Sequence, residues 1–228
     1  VLAGGLATRL RPITHHVPKC LIEVAGRPFI DHQLFLLKNN GLRRVVLCLG
    51  YLGEQVAAHV GDGNSFDMEV RYSFDGDKLL GTGGALRRAL PLLGELCWVL
   101  YGDSYLDIDY RAIFDDFLGR DALGLMTVLS NGNKWDKSNV VFENGRLLCY
   151  DKRRPNPEMR FIDYGLALLR RPAVERLPVD EVSDLADLYH DLVARGEMVG
   201  YEVTRRFYEI GSPAGLRETQ SYLATSAS

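Results

Sequence analysis

No run of apolar residues in this sequence approaches the ~18 that a membrane-crossing helix requires, so no helical span is expected. Nor is there an excess of basic residues. The 27 Lys and Arg face 30 Asp and Glu, a formal net charge of −3. The electrostatic footprint of a nucleic-acid-binding or membrane-surface protein is therefore missing, and any cationic site must be local. There is no CxxC pair: Cys20, Cys48, Cys97 and Cys149 are scattered, and two of them, Cys48 and Cys97, lie in apolar runs. A free thiol there behaves as a small buried hydrophobe, which fits a reducing cytoplasm better than a disulfide scaffold. The histidines are dispersed, and the adjacent His15 and His16 cannot face one ion on a regular element, so no zinc site is read here. Internal repeats and hexapeptide solenoids are lacking. So are the GxGxxG turn and the GxxxxGK[ST] loop. The first residues show no charged stretch followed by an apolar one, so no signal peptide is expected.

What is present suits one globular domain. The 228 residues are 46% hydrophobic and 25% charged, enough to bury a substantial core. Only Val1 and Leu2 precede the first glycines, fewer than the roughly five residues of a buried parallel strand, so the chain is expected to begin inside its first strand. Helical spacing marks residues 29–40, and continuous apolar runs mark strands at 43–50, 68–74 and 97–102. Short helices are read at 54–60 and, after a glycine-rich stretch, at 84–93. Strands separated by helices imply a mostly parallel sheet covered on both faces. The second half reads as more strands, at 123–129, 139–150 and 163–169, with a hairpin at Asn144–Gly145. An N-capped amphipathic helix follows at 183–196, then a strand over 201–211 and a last helix from Pro213. The fold class expected is α/β, a Rossmann-like mixed sheet flanked by helices, with a β-rich second half forming a lid or wall.

Ligands of open α/β sheets bind at the carboxyl ends of strands, near a switch in strand order. Three such ends carry glycine with polar residues: LAGG (2–5), GDS (102–104) and YEIG (208–211). Gly4 and Gly5 let backbone approach a phosphate and aim N–H groups at it. Arg9 offers a planar fork for phosphate oxygens, and Lys19 a point charge. Asp103 is a hard oxygen ligand suited to Mg²⁺, and Glu209, at the end of another strand, could reach the same ion. The glycine turn alone remains compatible with a plain strand-to-helix connection.

In order along the chain, LAGGLATRLRPIT, VPKCLIEVAGRPFI, LGTGGAL, GDS, DKRRP, DYGLALL and YEIGSP resemble the sugar-1-phosphate nucleotidyltransferases. Within that family the chain is most similar to the short heptose-1-phosphate guanylyltransferase and N-acetylmuramate-1-phosphate uridylyltransferase types. No C-terminal β-helix is expected. The resemblance implies transfer of a nucleotidyl group from a nucleoside triphosphate (GTP, UTP or CTP) to a sugar 1-phosphate, assisted by Mg²⁺. It implies that Leu2, Ala3, Gly4 and Gly5 lie along the nucleotide, and that Arg9 and Lys19 hold its phosphates. Gly81 and Thr82 would approach base and ribose through backbone atoms. Asp103 and Glu209 would hold the metal, Lys152 would grip the sugar phosphate, and Asn139, Asp163 and Gly165 would meet the sugar. Residues 1–120 would be mainly the nucleotide part and 121–228 mainly the sugar part, in a cytoplasmic enzyme that relatives suggest could form a homodimer.

The chain departs from the family pattern at three places. Ala7 replaces a common glycine, at a strain of about 1 kcal/mol if the position needs positive φ. Glu209 replaces an aspartate and is one methylene longer, and Asp151 stands where glutamate is common. Other residues have bland readings beside functional ones. Arg11 could be a solvated charge, Trp135 could pack its loop or flank a sugar, Tyr164 could be core, and Asp107 and Asp109 could cap the next helix. Asp75 or Asp77 could accept from the paired N1–H and N2–H₂ donors of guanine, or be solvated turn residues. The alternatives at the level of class are a non-catalytic nucleotide-sugar sensor, which Glu209 favours, and a dinucleotide-binding dehydrogenase-like domain, which the absent GxGxxG disfavours.

Overall fold

The computed structural model describes residues 1–226. In chain order it contains a short hairpin, β1 (Glu23–Val24) and β2 (Arg27–Pro28), then α1 (Phe29–Asn39), β3 (Arg44–Leu49), α2 (Gly53–Val60) and β4 (Glu69–Phe74). Next come α3 (Gly81–Ala89), β5 (Leu96–Leu100), β6 (Ser104–Tyr105), α4 (Tyr110–Leu118) and β7 (Gly124–Ser130). The second half adds β8 (Val140–Glu143), β9 (Arg146–Tyr150), β10 (Phe161–Arg170), α5 (Arg171–Glu175), α6 (Leu185–Ala194), β11 (Met198–Val203), β12 (Tyr208–Glu209) and α7 (Pro213–Ser226).

Leu2 is the keystone of the front half. It bridges Cys48 beyond one side and Tyr101 beyond the other, both in parallel. Its N–H donates to the Leu100 carbonyl at 2.9 Å, and the Ala3 N–H donates to that of Cys48 at 2.9 Å. The strand that opens the chain therefore lies between β3 and β5, and β3 pairs in parallel with β4. From β5 the sheet continues as β5-β10-β7-β11-β9-β8. β10 runs antiparallel to both β5 and β7, while β7 and β11 are parallel. The sheet is mixed, as expected.

Alternation along the strands sends successive side chains to opposite faces. Val99, Met126, Val128, Ala167 and Leu169 join Leu86, Leu188 and Leu192 of α3 and α6 in one core. Leu100, Leu125, Leu129, Leu166 and Leu168 join Ile30, Leu34, Val56 and Ile113 of α1, α2 and α4 in the other. Each fully buried aliphatic side chain there contributes about 1.5–3 kcal/mol of transfer free energy. A third, small core of Val24, Phe29, Ile210 and Leu223 clamps α7 onto the first hairpin. Tyr164 is core, 2% exposed. Cys20 and Cys48 are buried and unpaired, with Cys97 and Cys149 half-buried and also free. Among the described residues no helix is long and apolar enough to cross a membrane.

Three expectations need correction. The glycine-rich stretch does not precede α3 but forms its first turn, starting at Gly81, because the loop at 181–184 packs too closely for side chains there. The strand read over 201–211 is two, β11 and β12, since Arg205 and Arg206 leave the sheet to pair with Asp107 and Glu218. Asp109 does cap α4, accepting from the Ala112 N–H at 3.0 Å, but Asp107 instead accepts from the Tyr222 hydroxyl at 2.7 Å.

Candidate active site

The opening strand ends where its neighbours β3 and β5 end, and the loop leaving it runs over their carboxyl ends. Gly4 lies against Gly50 at the end of β3, where a Cβ would sit 2.9 Å from the Gly50 nitrogen. Ala7 adopts φ 49°, ψ 42°, the left-handed region that alanine enters at a cost of about 1 kcal/mol. Its carbonyl accepts from the hydroxyl of buried Thr14 at 2.9 Å, which explains why RPIT follows the glycines. Positive φ at Ala7 is thus observed and is held in place by Thr14.

A cavity of about 220 Å³ opens at these strand ends, lined by Leu2, Ala3, Gly4, Gly5, Lys19, Gly81, Thr82 and Asp103 of the predicted nucleotide set. Asp75, Leu79, Cys20 and Tyr101 are among the other residues of its wall. Burial pushes the Cys20 thiol up to about 12, so it stays a neutral wall residue. Of the two aspartates considered for the base, Asp75 is 5% exposed and in the wall, whereas Asp77 is exposed outside it. One Asp75 oxygen, Oδ2, accepts the Leu80 N–H at 3.0 Å, just before α3. Burial raises its carboxyl above the usual range, opposed by that N–H and by the Arg88 charge. The first N–H groups of α3, at Gly81 and Thr82, have no acceptor within the helix and lie at the cavity.

Lys19 and Asp103 form an ion pair of 2.7 Å at the cavity's rim. The short ladder of β6 with β12 sets Glu209 opposite Ser104, and the Ile210 N–H donates to the Asp103 carbonyl at 2.9 Å. Around the point a Cβ on Gly211 would occupy, Glu209 Oε2 lies at 2.7 Å, Asp103 Oδ2 at 3.0 Å and Arg9 Nη2 at 3.1 Å. Two carboxylates and a guanidinium, more than 90 residues apart in sequence, thus meet at one place. Arg9 does not line the cavity itself. Glu209 is also anchored at the start of α7. Its carboxylate accepts from the Gly211 N–H and, at 2.6 Å, from the Ser212 hydroxyl. No cluster of three or more His, Cys, Asp or Glu suited to a metal ion occurs among the described residues.

Of the predicted sugar residues, Asp163 and Gly165 lie on β10 and Asn139 is bonded to it. The Asn139 side-chain carbonyl accepts the Asp163 N–H at 2.9 Å, and Asp163 Oδ1 accepts the Gly165 N–H at 2.9 Å. The β10–β7 register shifts between Asp163 and Ala167. At this bulge Gly165 takes φ 95°, which needs glycine, and faces the Tyr101 ring and the Ser104 hydroxyl. Burial raises the Asp163 carboxyl, while the Gly165 N–H, the Lys152 charge and the Tyr150 phenol hold it down. Lys152 is not in the main cavity but in an exposed groove with Arg154 and His190. Asp151 folds that loop by accepting the Arg153 and Arg154 N–H groups, each at 2.8 Å. Trp135 packs its loop: the Arg206 guanidinium lies 3.7 Å from its ring centroid and the Lys134 ammonium 4.7 Å.

Two residues at the site were not picked out in the sequence. Tyr101 joins the cavity to the sugar side. Burial raises its phenol, and Asp163, Asp184 and Asp103 add to the shift. Only its place one residue before GDS could have signalled it. Asp184 was hidden in an ordinary helix cap. The Thr82 hydroxyl donates to Asp184 Oδ1 at 3.0 Å and accepts the Leu185 N–H at 2.9 Å, tying α3 to α6. The Thr82 side chain is thereby turned from the cavity, leaving its backbone there.

A family model described as nucleotidyl transferase matches residues 1–138. The N-acetylmuramate alpha-1-phosphate uridylyltransferase of Neisseria meningitidis serogroup B is 28% identical over 227 residues, 97% of this chain and 96% of that protein. The UTP–glucose-1-phosphate uridylyltransferase of Synechocystis is 26% identical over 215 residues, 86% of this chain. The match covers only 55% of that longer relative. The crystal structure of HddC from Yersinia pseudotuberculosis complexed with GMP-PN superposes with a TM-score of 0.80, at 23% identity, covering 97% of each chain.

Proposed function

Because the chain belongs to the nucleotidyl transferase family, we propose that it transfers a nucleotidyl group from a nucleoside triphosphate to a sugar 1-phosphate. An oxygen of the sugar phosphate attacks the α-phosphorus, the bond from that phosphorus to the bridging oxygen breaks, and pyrophosphate leaves with that oxygen. The nucleophile is already an anion, so no general base is needed. The barrier is repulsion between an anion and a polyanion, and the residues answer it with charge and alignment. The observation that carries this reading is the meeting of Arg9, Asp103 and Glu209 around one point beside Gly211, with Asp103 also paired to Lys19 in the cavity wall.

In this reading Leu2 to Gly5 and the start of α3 receive the nucleotide through backbone N–H groups, and Arg9 and Lys19 bind its phosphates. Asp163, Asn139 and Gly165 orient the acceptor sugar beneath Tyr101, and Lys152 holds its phosphate. The donor set fits a divalent cation. Mg²⁺ commonly takes one or two protein carboxylates and fills its other positions from phosphates and water. Asp103 and Glu209 would supply the two, each keeping unused lone pairs beside its present hydrogen bonds. Bound there, Mg²⁺ would neutralise charge on the phosphates. The unpaired Cys20, Cys48, Cys97 and Cys149 suit a reducing compartment, and action in the cytoplasm is proposed on that ground.

Guanine is the proposed base, joined to a heptose or hexose 1-phosphate as acceptor. Among the described residues Asp75 Oδ1 accepts no hydrogen bond, and it belongs to a side chain in the cavity wall. A carboxylate there suits the adjacent N1–H and N2–H₂ donors of guanine, whereas uracil presents one donor. The test is a grid of four nucleoside triphosphates against a panel of sugar 1-phosphates, read by pyrophosphate release. Release is expected with GTP and Mg²⁺, and its loss in Asp103→Ala. Nucleotide-sugar binding without release from any pair would instead establish the sensor reading.

A further inference from the structure

We infer that Gln33 is a positioning residue for the turn that carries Asp103 and, taking nucleotidyl transfer as the reaction, that it acts on catalysis through that carboxylate. Gln33 sits on the inner face of α1 and is 0% exposed. Its amide nitrogen donates both hydrogens to the turn after β5, to the Tyr101 carbonyl at 2.9 Å and to the Ser104 carbonyl at 2.8 Å. Those two carbonyls bracket Gly102 and Asp103, so one side chain spans the whole turn. The amide oxygen, in contrast, is buried without any partner. An unpaired buried carbonyl is costly, and an apolar side chain of similar size would avoid that cost. What the side chain contributes is therefore its pair of donors.

The turn is held from two directions by one short segment of chain. Lys19 takes the Asp103 carboxylate from the cavity side at 2.7 Å, and Gln33, 14 residues later, takes the backbone from behind. The remaining ties are the Ser104 N–H to the Tyr101 carbonyl at 3.2 Å, the Gly102 N–H to that of Leu2 at 2.9 Å and the Ile210 N–H to that of Asp103 at 2.9 Å. The first closes the turn within the backbone, and the other two fix where it begins and which strand it meets. Gln33 adds a side-chain bridge between the Tyr101 and Ser104 carbonyls from beneath, and with it holds the direction in which Asp103 leaves the backbone.

Gln33→Leu and Gln33→Met remove the donors and the orphan oxygen together, keeping the core apolar, and two variants guard against misfolding of one. Both are expected to fold, with kcat for pyrophosphate release reduced about 10- to 100-fold by misplacement of Asp103 and the KM for nucleotide changed by less than about threefold. In an Asp103→Asn background, Gln33→Leu should add less than about a twofold further loss, since no carboxylate remains to be placed. Amide exchange followed by NMR should speed up about tenfold at Gly102, Asp103 and Ser104 and stay unchanged in the rest of α1. Folded variants with kcat within about twofold of the parent, or losses that multiply with Asp103→Asn, would overturn the role. If the unaltered protein releases no pyrophosphate from any substrate pair, nucleotidyl transfer itself fails. Exchange at 102–104 then still decides whether Gln33 holds the turn, and unchanged exchange refutes it.

Discussion

Replacing Gly215 by alanine should evict the carboxylate of Glu209 from its seat. A Cβ at that position would lie 1.8 Å from Glu209 Oε1 and 2.4 Å from its Cδ, closer than any non-bonded contact. Gly215 is in the first turn of α7, where its N–H donates to the Ser212 hydroxyl at 3.0 Å, so the backbone cannot easily withdraw. The carboxylate must swing away and lose its bonds from the Gly211 N–H and the Ser212 hydroxyl, and the Glu209 carbonyl, 2.7 Å from the new Cβ, must shift as well. Hydrogen bonds to a charged group are worth about 1.5–3 kcal/mol each. Water recovers part of that for a half-buried group, and alanine regains about 1 kcal/mol of helix propensity. A net destabilisation of about 2–3 kcal/mol remains, or a fall in Tm of about 4–12 °C for a chain of this size. Glu209→Asp, one methylene shorter, should withdraw from the new methyl group. The double variant should therefore recover at least about 1 kcal/mol relative to the sum of the singles. Thermal melts of all four proteins give the cycle, and pyrophosphate release should fall about 10²- to 10³-fold in Gly215→Ala. A Gly215→Ala protein that melts within about 1 °C of the parent, or single effects that simply add, would show that Glu209 is not seated as described.

Asp75→Asn should lower discrimination for GTP over UTP about 10- to 100-fold, measured as the ratio of kcat/KM values. A gain in the ratio would contradict guanine reading. The same carboxyl has its folded pKa raised by burial, so its contribution to stability is full below the unfolded value and lost as pH rises through the folded one. Denaturation at neutral pH should accordingly find Asp75→Asn at least as stable as the parent, while the KM for GTP in the parent should climb as acidification protonates Asp75. Ala7→Gly relieves about 1 kcal/mol of left-handed strain at φ 49° against about 0.4–1 kcal/mol of added glycine entropy, and should raise stability by up to about 0.6 kcal/mol; a loss would mean that the strain is absent. Thr82→Val keeps shape but removes the hydroxyl joining α3 to Asp184 and Leu185, and urea titration should show about 1–3 kcal/mol of destabilisation. An unchanged midpoint and slope would show that the link carries no weight.

The elements were largely legible because their signals are local. The Asn144–Gly145 hairpin has φ 50° and 79° at its two turn residues, the pattern that Asn-Gly favours. The helix at 29–40 and the strand at 43–50 differ from α1 and β3 by a residue at an end or two. Errors came where a distant segment overrode local preference. Gly81 and Gly83 read as part of the stretch before the helix, yet they belong to its first turn, where the 181–184 loop leaves no room for side chains. The apolar pattern over 201–211 reads as one strand, but ion pairs to Asp107 and Glu218 draw the middle away. Asp107 looked like a cap because nothing near it in the sequence signals its pairing with Tyr222, 115 residues later.

By itself the sequence determined which chemistry is available: phosphate-friendly glycines, three cations near the start, and acids following glycine-ended strands. These depend on residue type and spacing, which short-range physics reads directly. Only the tertiary structure decided which of them share a place. The β6–β12 ladder, four paired residues, sets Glu209 beside Asp103 and Arg9, and a bulge in β10 turns Gly165 toward Tyr101. It also chose Asp75 over Asp77 by burying one and leaving the other in water. Such choices are set by the packing of segments far apart in the chain, where a few ångströms separate a binding group from a solvated one, and no spacing along a sequence carries that distance.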